Sequence, residues 1–135
     1  MKFISTKAHG ILDYLTGILL TVVPLIYLRD APSAAVYTLA AAGVIILIMS
    51  FFTNYEFGAI RKISIINHQM ADKSIGVALA ISPWIFGFDD VVYGPHMIMG
   101  FICMAVPTFT KKITTTLQLE TNPAGEVTRY YLNGE

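Results

Sequence analysis

Four long runs of apolar residues, broken by short polar connections, set the pattern of this chain. The first runs from about Ala8 to Leu28 and closes at Arg29-Asp30. The second covers about Ala34 to Thr53, the third about His68 to Phe88, and the fourth about Val92 to Thr110. Each is close to the ~20 residues that a helix needs to cross a bilayer. Runs one and two are joined by a short connection containing Pro32, runs three and four by one containing Asp89-Asp90. Links this short force antiparallel neighbours, so each pair reads as a helical hairpin. The middle connection, Asn54 to Asn67, is longer and carries Arg61 and Lys62, with Ile63, Ile65 and Ile66 suited to an interface.

Composition strengthens this reading. Hydrophobic residues make up 55% and charged residues 13% of the 135, with a mean hydropathy of +0.62. Soluble domains carry about 25% charged residues to cover a wet surface, so lipid is the expected solvent. Nine Lys and Arg balance nine Asp and Glu, which gives no electrostatic reason to expect nucleic acid. The single cysteine, Cys103, lies in an apolar run and reads as packing. Lys2, Lys7, Arg61, Lys62, Lys111 and Lys112 fall on one side of the runs, and Arg29 alone on the other. Positive charge marks the cytoplasmic side, so both termini are expected there, in a multi-pass protein of the bacterial inner membrane. A cleaved signal peptide is the competing reading of the first run; His9 and Asp13 within the apolar stretch argue against it.

A shift of 59 residues aligns the first and third runs without a gap: Ser5 with Ser64, His9 with His68, Asp13 with Asp72, Gly17 with Gly76, Leu20 with Leu79, Pro24 with Pro83 and Asp30 with Asp89. Apolar composition alone does not supply matched His, Pro and Asp. A shift of 57 aligns Gly43 with Gly100 and Phe52-Thr53 with Phe109-Thr110. The chain therefore reads as a hairpin written twice, over 1–56 and 57–112, followed by a cytoplasmic tail over 113–135. The fold class expected is an all-α membrane protein: four transmembrane helices in two tandem hairpins, a parallel internal repeat, with a short β-hairpin-like tail.

The stretch from Ala80 to Phe88, with Ser82-Pro83-Trp84 at its centre, resembles the signature of the SPW-repeat family of small prokaryotic integral membrane proteins. The His-x-x-x-Asp-x-x-x-Gly lead-in and two helices per repeat fit as well, and the resemblance covers roughly residues 2–110. The first copy departs from it, with Val23-Pro24-Leu25 in place of Ser-Pro-Trp. Gly17, Pro24, Gly76, Ser82, Pro83 and Trp84 carry the repeat motif. The resemblance implies the fold and brings no biochemical activity with it.

On a helix of 3.6 residues per turn, His9, Asp13, Gly17, Leu20 and Pro24 form one stripe, and His68, Asp72, Gly76, Leu79 and Pro83 the matching one. The small glycines suit a face turned to another helix, and the prolines should kink or end their helices. A carboxylate one to two turns inside a membrane helix is costly, and is a functional hypothesis by default. Each aspartate is expected to accept a hydrogen bond from its own histidine, from Lys7 or Lys73, or from helix N-termini, pinning the cytoplasmic end. The alternatives are a proton or ion path through Asp13 and Asp72, or a metal site. Two imidazoles and two carboxylates from His9, Asp13, His68 and Asp72 are a plausible set for zinc or iron, although His-x-x-x-Asp alone is a weak motif. A haem held between His9 and His68 is a further, more remote option. No cofactor is expected otherwise. His96, after Gly94-Pro95, is expected at the outer interface, and Trp84 as an interfacial anchor.

After Lys111-Lys112, two β-prone runs flank the turn signal Asn122-Pro123-Ala124-Gly125. A lone hairpin is marginal in water, so the tail is expected to pair with a second copy or another membrane protein, to pack on the bundle, or to stay partly disordered. The chain shows no nucleophile with a base, no phosphate loop and no cysteine cluster. It points to a non-enzymatic structural or assembly role, with an ion-translocating or metal-binding module as the alternative.

Overall fold

The computed structural model describes residues 2–111, 115–121, 125 and 127–133. Four helices follow one another: α1 (Thr6–Tyr27), α2 (Ser33–Phe52), α3 (Ile65–Ile85) and α4 (Gly94–Phe109). Helices α1 and α3 begin two to three residues earlier than the apolar runs suggest. The reason is capping: Ser5 Oγ accepts from Ala8 N–H at 3.0 Å and Ser64 Oγ from Asn67 N–H at 3.2 Å. Such caps satisfy amide groups that the first turn leaves without partners. At the other ends, Pro24 and Pro83 lie inside the helices, which stop at Tyr27 and Ile85, within one turn. Helix α4 starts at Gly94 because Pro95 follows, preset for a first turn.

Helix α1 packs against α2, α3 against α4, and α2 against α3. Glycines set the first two contacts. A Cβ on Gly43 would lie 2.6 Å from Gly17 O, and one on Gly100 would lie 2.6 Å from Gly76 O. The paired backbones thus touch where any larger residue would separate them, which is how small residues drive helix association in lipid. The central core consists of Leu20, Leu39, Ala42, Ile46, Leu79 and Cys103.

The segments flanking the helices tie the pairs together. Lys111 N–H donates to Ile4 O at 2.8 Å, and Phe3 N–H to Phe109 O at 3.0 Å, so the entry to α1 lies beside the exit from α4. Likewise Asn54 N–H donates to Ile63 O at 2.7 Å, joining the exit from α2 to the entry of α3. Two parallel bridges, Ile4–Thr110 and Thr53–Ile63, record the same exchange. Beyond α4, β1 (Thr115–Thr121) and β2 (Val127–Asn133) pair antiparallel, with Thr121 opposite Val127. Gly125 between them has φ of 82°, a left-handed conformation that favours glycine; the rest of the turn signal, Asn122-Pro123-Ala124, lies outside the described residues, as does Lys112.

Polarity runs opposite to that of a soluble protein. Fully or almost fully buried are His9, Asp13, His68, Gln69, Asp72, Ser82 and His96. Exposed are Leu15, Ile18, Ile26, Ile48, Ile81, Ile98 and Phe101, among many other large apolar residues. An exposed apolar belt this continuous needs an apolar partner. Helices α1 and α2 are long and apolar enough to cross a membrane. Helix α4 is shorter at 16 residues, and α3 opens on the polar run Asn67-His68-Gln69.

Candidate functional site: a buried histidine–aspartate quartet

One turn separates His9 from Asp13 on α1, and His68 from Asp72 on α3, and each pair faces inward. The two pairs meet. His68 Nε2 lies 3.0 Å from Asp13 Oδ2 and 3.2 Å from Asp72 Oδ2; His9 Nε2 lies 3.3 Å from each of the same two oxygens. Each aspartate therefore sits between both histidines, and each histidine between both aspartates. The imidazole rings approach edge to face, 5.5 Å between centroids. Both rings are fully buried, and the aspartate side chains are less than a tenth exposed. One potential ligand atom from each residue lies within 4.8 Å of all the others, so the four are placed as a metal-binding set. The carboxylates stand where a macrocycle between the rings would have to go, which excludes haem.

This differs from a local pinning of each aspartate. The shortest contact of Asp13 within the quartet is to Nε2 of His68, the histidine of the other pair, 3.0 Å from its Oδ2. Lys7 lies on the exposed face of α1, away from the buried one that holds Asp13. The i, i+4 spacing makes His9 and Asp13 neighbours on one helix; the approach of α1 to α3 adds the cross-pairing.

Two threonines complete the site. Thr110 Oγ1 lies 3.1 Å from His9 Nδ1, and Thr53 Oγ1 lies 2.8 Å from His68 Nδ1. They come from the ends of α4 and α2, so all four helices contribute. Each hydroxyl also donates to a carbonyl one turn earlier, Thr53 to Met49 O at 2.6 Å and Thr110 to Val106 O at 2.7 Å. Neither threonine was singled out by sequence reasoning, although their identity at a shift of 57 residues was the available signal.

The connection between the pairs covers the quartet. The Tyr55 ring lies 6.1 Å from that of His68 and occupies the space a side chain at Gly10 would need. Thr6 Oγ1 donates to Glu56 at 2.8 Å, and Tyr14 donates to Phe57 O at 3.2 Å. Burial raises the pKa of the Tyr55 hydroxyl well above its ordinary value, which keeps it neutral. Beside Asp13 and Asp72 there is one small cavity of about 20 Å³, whose lining includes Thr16, Cys103 and Pro107. That is room for a single water.

His96 is not at an interface with solvent or headgroups. It is fully buried, with Nε2 3.0 Å from both Thr38 Oγ1 and Ala35 O of α2, and its ring 4.8 Å from that of Phe88. It lies on the third residue of α4, and the first turn of that helix points it inward. Trp84 is more than half exposed and lies 6.5 Å from Tyr93, centroid to centroid. Ser82 is buried and donates to Leu79 O at 2.8 Å, a bond within its own helix.

The profile of the SPW repeat domain matches residues 7–110, most of the chain and all four helices but for the first residue of α1. The chain belongs to the SPW repeat family. Its quartet, both threonines and the Ser-Pro-Trp segment all fall within the matched region. No curated protein and no solved structure is significantly similar to this SPW repeat protein. Family membership and the exposed apolar helices together point to a membrane protein.

Proposed function

We propose that this SPW repeat protein is a small multi-pass protein of the bacterial inner membrane with a non-enzymatic structural or assembly role, in which the quartet locks two duplicated helical hairpins into one unit. The observation that carries this is the sharing of Asp13 and Asp72 between His9 and His68. Ionisable groups buried in lipid are tolerated when they face the bundle interior and pair with one another, and here the pairing joins residues 1–56 to residues 57–112. The matched caps at Ser5 and Ser64, the matched Gly17–Gly43 and Gly76–Gly100 contacts, and the two threonine–histidine contacts support the duplication.

All four helices cross the membrane in this reading. The polar residues of α3 are turned inward, and α4 is extended at both ends by chain that pairs or packs. The quartet end faces the cytoplasm with both termini, and residues 113–135 form a cytoplasmic tail, a hairpin that suits a second copy or another membrane protein. The 20 Å³ cavity beside the quartet has no space for an organic substrate. A proton path is disfavoured by the apolar core. Thr38, beside His96, lies 15 residues from Thr53, beside His68, which is about 22 Å along α2. The span between them is filled by Leu39, Ala42, Ile46 and Leu79.

Topology is tested with reporter fusions after Asp30, Phe57, Asp90 and Lys111. Activity of a cytoplasm-specific reporter is expected at Phe57 and Lys111 only. Equal activity at Asp30 and Phe57 would overturn the four-span arrangement.

A further inference from the structure

We infer that the quartet is a binding site for one divalent transition-metal ion, held by Nε2 of His9 and His68 and one carboxylate oxygen each of Asp13 and Asp72, and oriented by Thr53 and Thr110. The inference deepens the structural reading above and rests on it: the ion is the cross-link between the two hairpins.

The threonines decide the protonation of the rings. Each hydroxyl has one hydrogen, and a carbonyl can only accept, so the short bonds to Met49 O and Val106 O use that hydrogen up. The contacts to His68 Nδ1 and His9 Nδ1 must then be made by ring N–H donating to the threonine oxygen. In a neutral imidazole with Nδ1 protonated, Nε2 carries the lone pair. Both Nε2 atoms point at the two carboxylates. Four groups rich in electrons thus converge on one small volume from the facing sides of α1 and α3, which is repulsive unless protons or a cation lie among them.

The bare quartet is also poorly satisfied. Within the quartet, only His68 Nε2 and Asp13 Oδ2 stand in hydrogen-bonding geometry, and that bond needs a proton between them; His9 Nε2 and both Asp72 oxygens have no aligned partner among the described residues, although all three atoms are buried. Protonating both rings would neutralise the charge but leave those atoms without aligned partners. A divalent cation neutralises two carboxylates and takes a lone pair from each group. The resulting site is neutral, as a site within an apolar belt should be.

Dimensions agree. Ligands about 2.0–2.1 Å from a zinc-sized ion at tetrahedral angles lie roughly 3.3 Å apart. The four His–Asp separations, at 3.0, 3.2, 3.3 and 3.3 Å, match that spacing, and one ligand atom from each residue lies within 4.8 Å of the others. Mixed imidazole and carboxylate ligands without thiolate suit Zn²⁺, Fe²⁺ or Mn²⁺. A partner on the far nitrogen of each ligating histidine is the usual outer shell of such sites. The cavity against Asp13 and Asp72 leaves room for one water as a further ligand.

The test uses the full chain, produced with a tag that contains no histidine, purified in detergent and stripped with chelator. Co²⁺ is titrated while its visible absorption is recorded, and Zn²⁺ is then used to displace it. One Co²⁺ per chain with a tetrahedral or five-coordinate spectrum is expected, with a rise in Tm on addition of either metal. Binding should vanish in Asp13→Asn and Asp72→Asn. In Thr53→Val and Thr110→Val, which keep all four ligands, it should weaken by about 10- to 100-fold. Absence of binding and of any Tm change in the wild type would overturn the metal site. So would binding that survives both aspartate substitutions. If the aspartate variants lose stability while the wild type ignores metal, the structural lock stands and the metal falls. If metal binds without raising Tm, the ion is not the cross-link and the inference fails in that form.

Discussion

The two ends of this bundle bury histidine in different ways. At the end where the chain enters α1 and leaves α4, His9 and His68 face each other across two shared aspartates, each ring backed by a threonine from a further helix. At the other end His96 has its Nε2 shared between the Ala35 carbonyl and Thr38, and among the described residues it pairs with no carboxylate. The first arrangement has a counterpart for every part; position 39, which a shift of 57 residues sets against His96, is leucine. A lone imidazole bonded through Nε2 to a carbonyl and a hydroxyl fastens two helices, while its Nδ1 is buried without a partner among the described residues. A pair sharing two carboxylates fastens four, and leaves electron-rich atoms over for something else to bind. The difference shows that one buried histidine with an unpartnered nitrogen is not by itself evidence of a site; the convergence of several such groups is.

The contrast can be broken most forcefully at Asp72. Asp72→Asn removes one carboxylate from a buried network whose other members stay, a change that costs about 3–5 kcal/mol, and denaturant titration in mixed micelles should read it as a large loss. A loss below 1 kcal/mol would mean that the quartet holds nothing together. Next come the glycine contacts, which test whether the hairpins are equivalent. Gly43→Ala and Gly100→Ala each place a Cβ against backbone, and overpacking of this kind costs about 1–3 kcal/mol. Similar losses from both are expected; a strong effect in one alone would make the second hairpin more than a copy of the first.

His96→Ala should be milder. It removes one ring and its hydrogen bond but strands no charge, since Thr38 keeps its contacts to Ala34 O and Ala35 O; about 1–2 kcal/mol is expected, with Co²⁺ titration unchanged. Altered metal binding in this variant would join the two ends and remove the distinction between them. Least of all, Trp84→Ala at a largely exposed position should stay within about 0.5 kcal/mol in the same micelles. A larger loss would show that the Ser-Pro-Trp segment packs on something that detergent retains.

Much of this was legible before the structure. The stripe of His9, Asp13 and Gly17, the antiparallel pairs and the glycine faces follow from spacing, because a helix fixes which residues share a side. Where the helices begin was less legible, because Ser5 and Ser64 are polar residues outside the apolar runs and their capping depends on one hydrogen bond each. The partner of Asp13 could not be read at all: spacing offers His9, and only the meeting of α1 with α3 supplies His68. Thr53 and Thr110 were hidden for a similar reason. A threonine bonding to its own helix is commonplace, and nothing local shows that its oxygen also receives a ring N–H. His96 was misplaced because Gly-Pro-His at a helix start has the composition of an interface, whereas the rotation of the first turn of α4 sends the ring towards α2.

The central claim, that the quartet joins the two hairpins, is tested most directly by a double-mutant cycle between Asp13→Asn and His68→Gln, measured by reversible unfolding in mixed micelles. Residues that share one buried network couple by about 0.5–3 kcal/mol, and a coupling in the upper half of that range is predicted for this pair, which meets at 3.0 Å between the hairpins. Additive losses for Asp13 and His68, with coupling confined to Asp13 and His9 on the same helix, would contradict it.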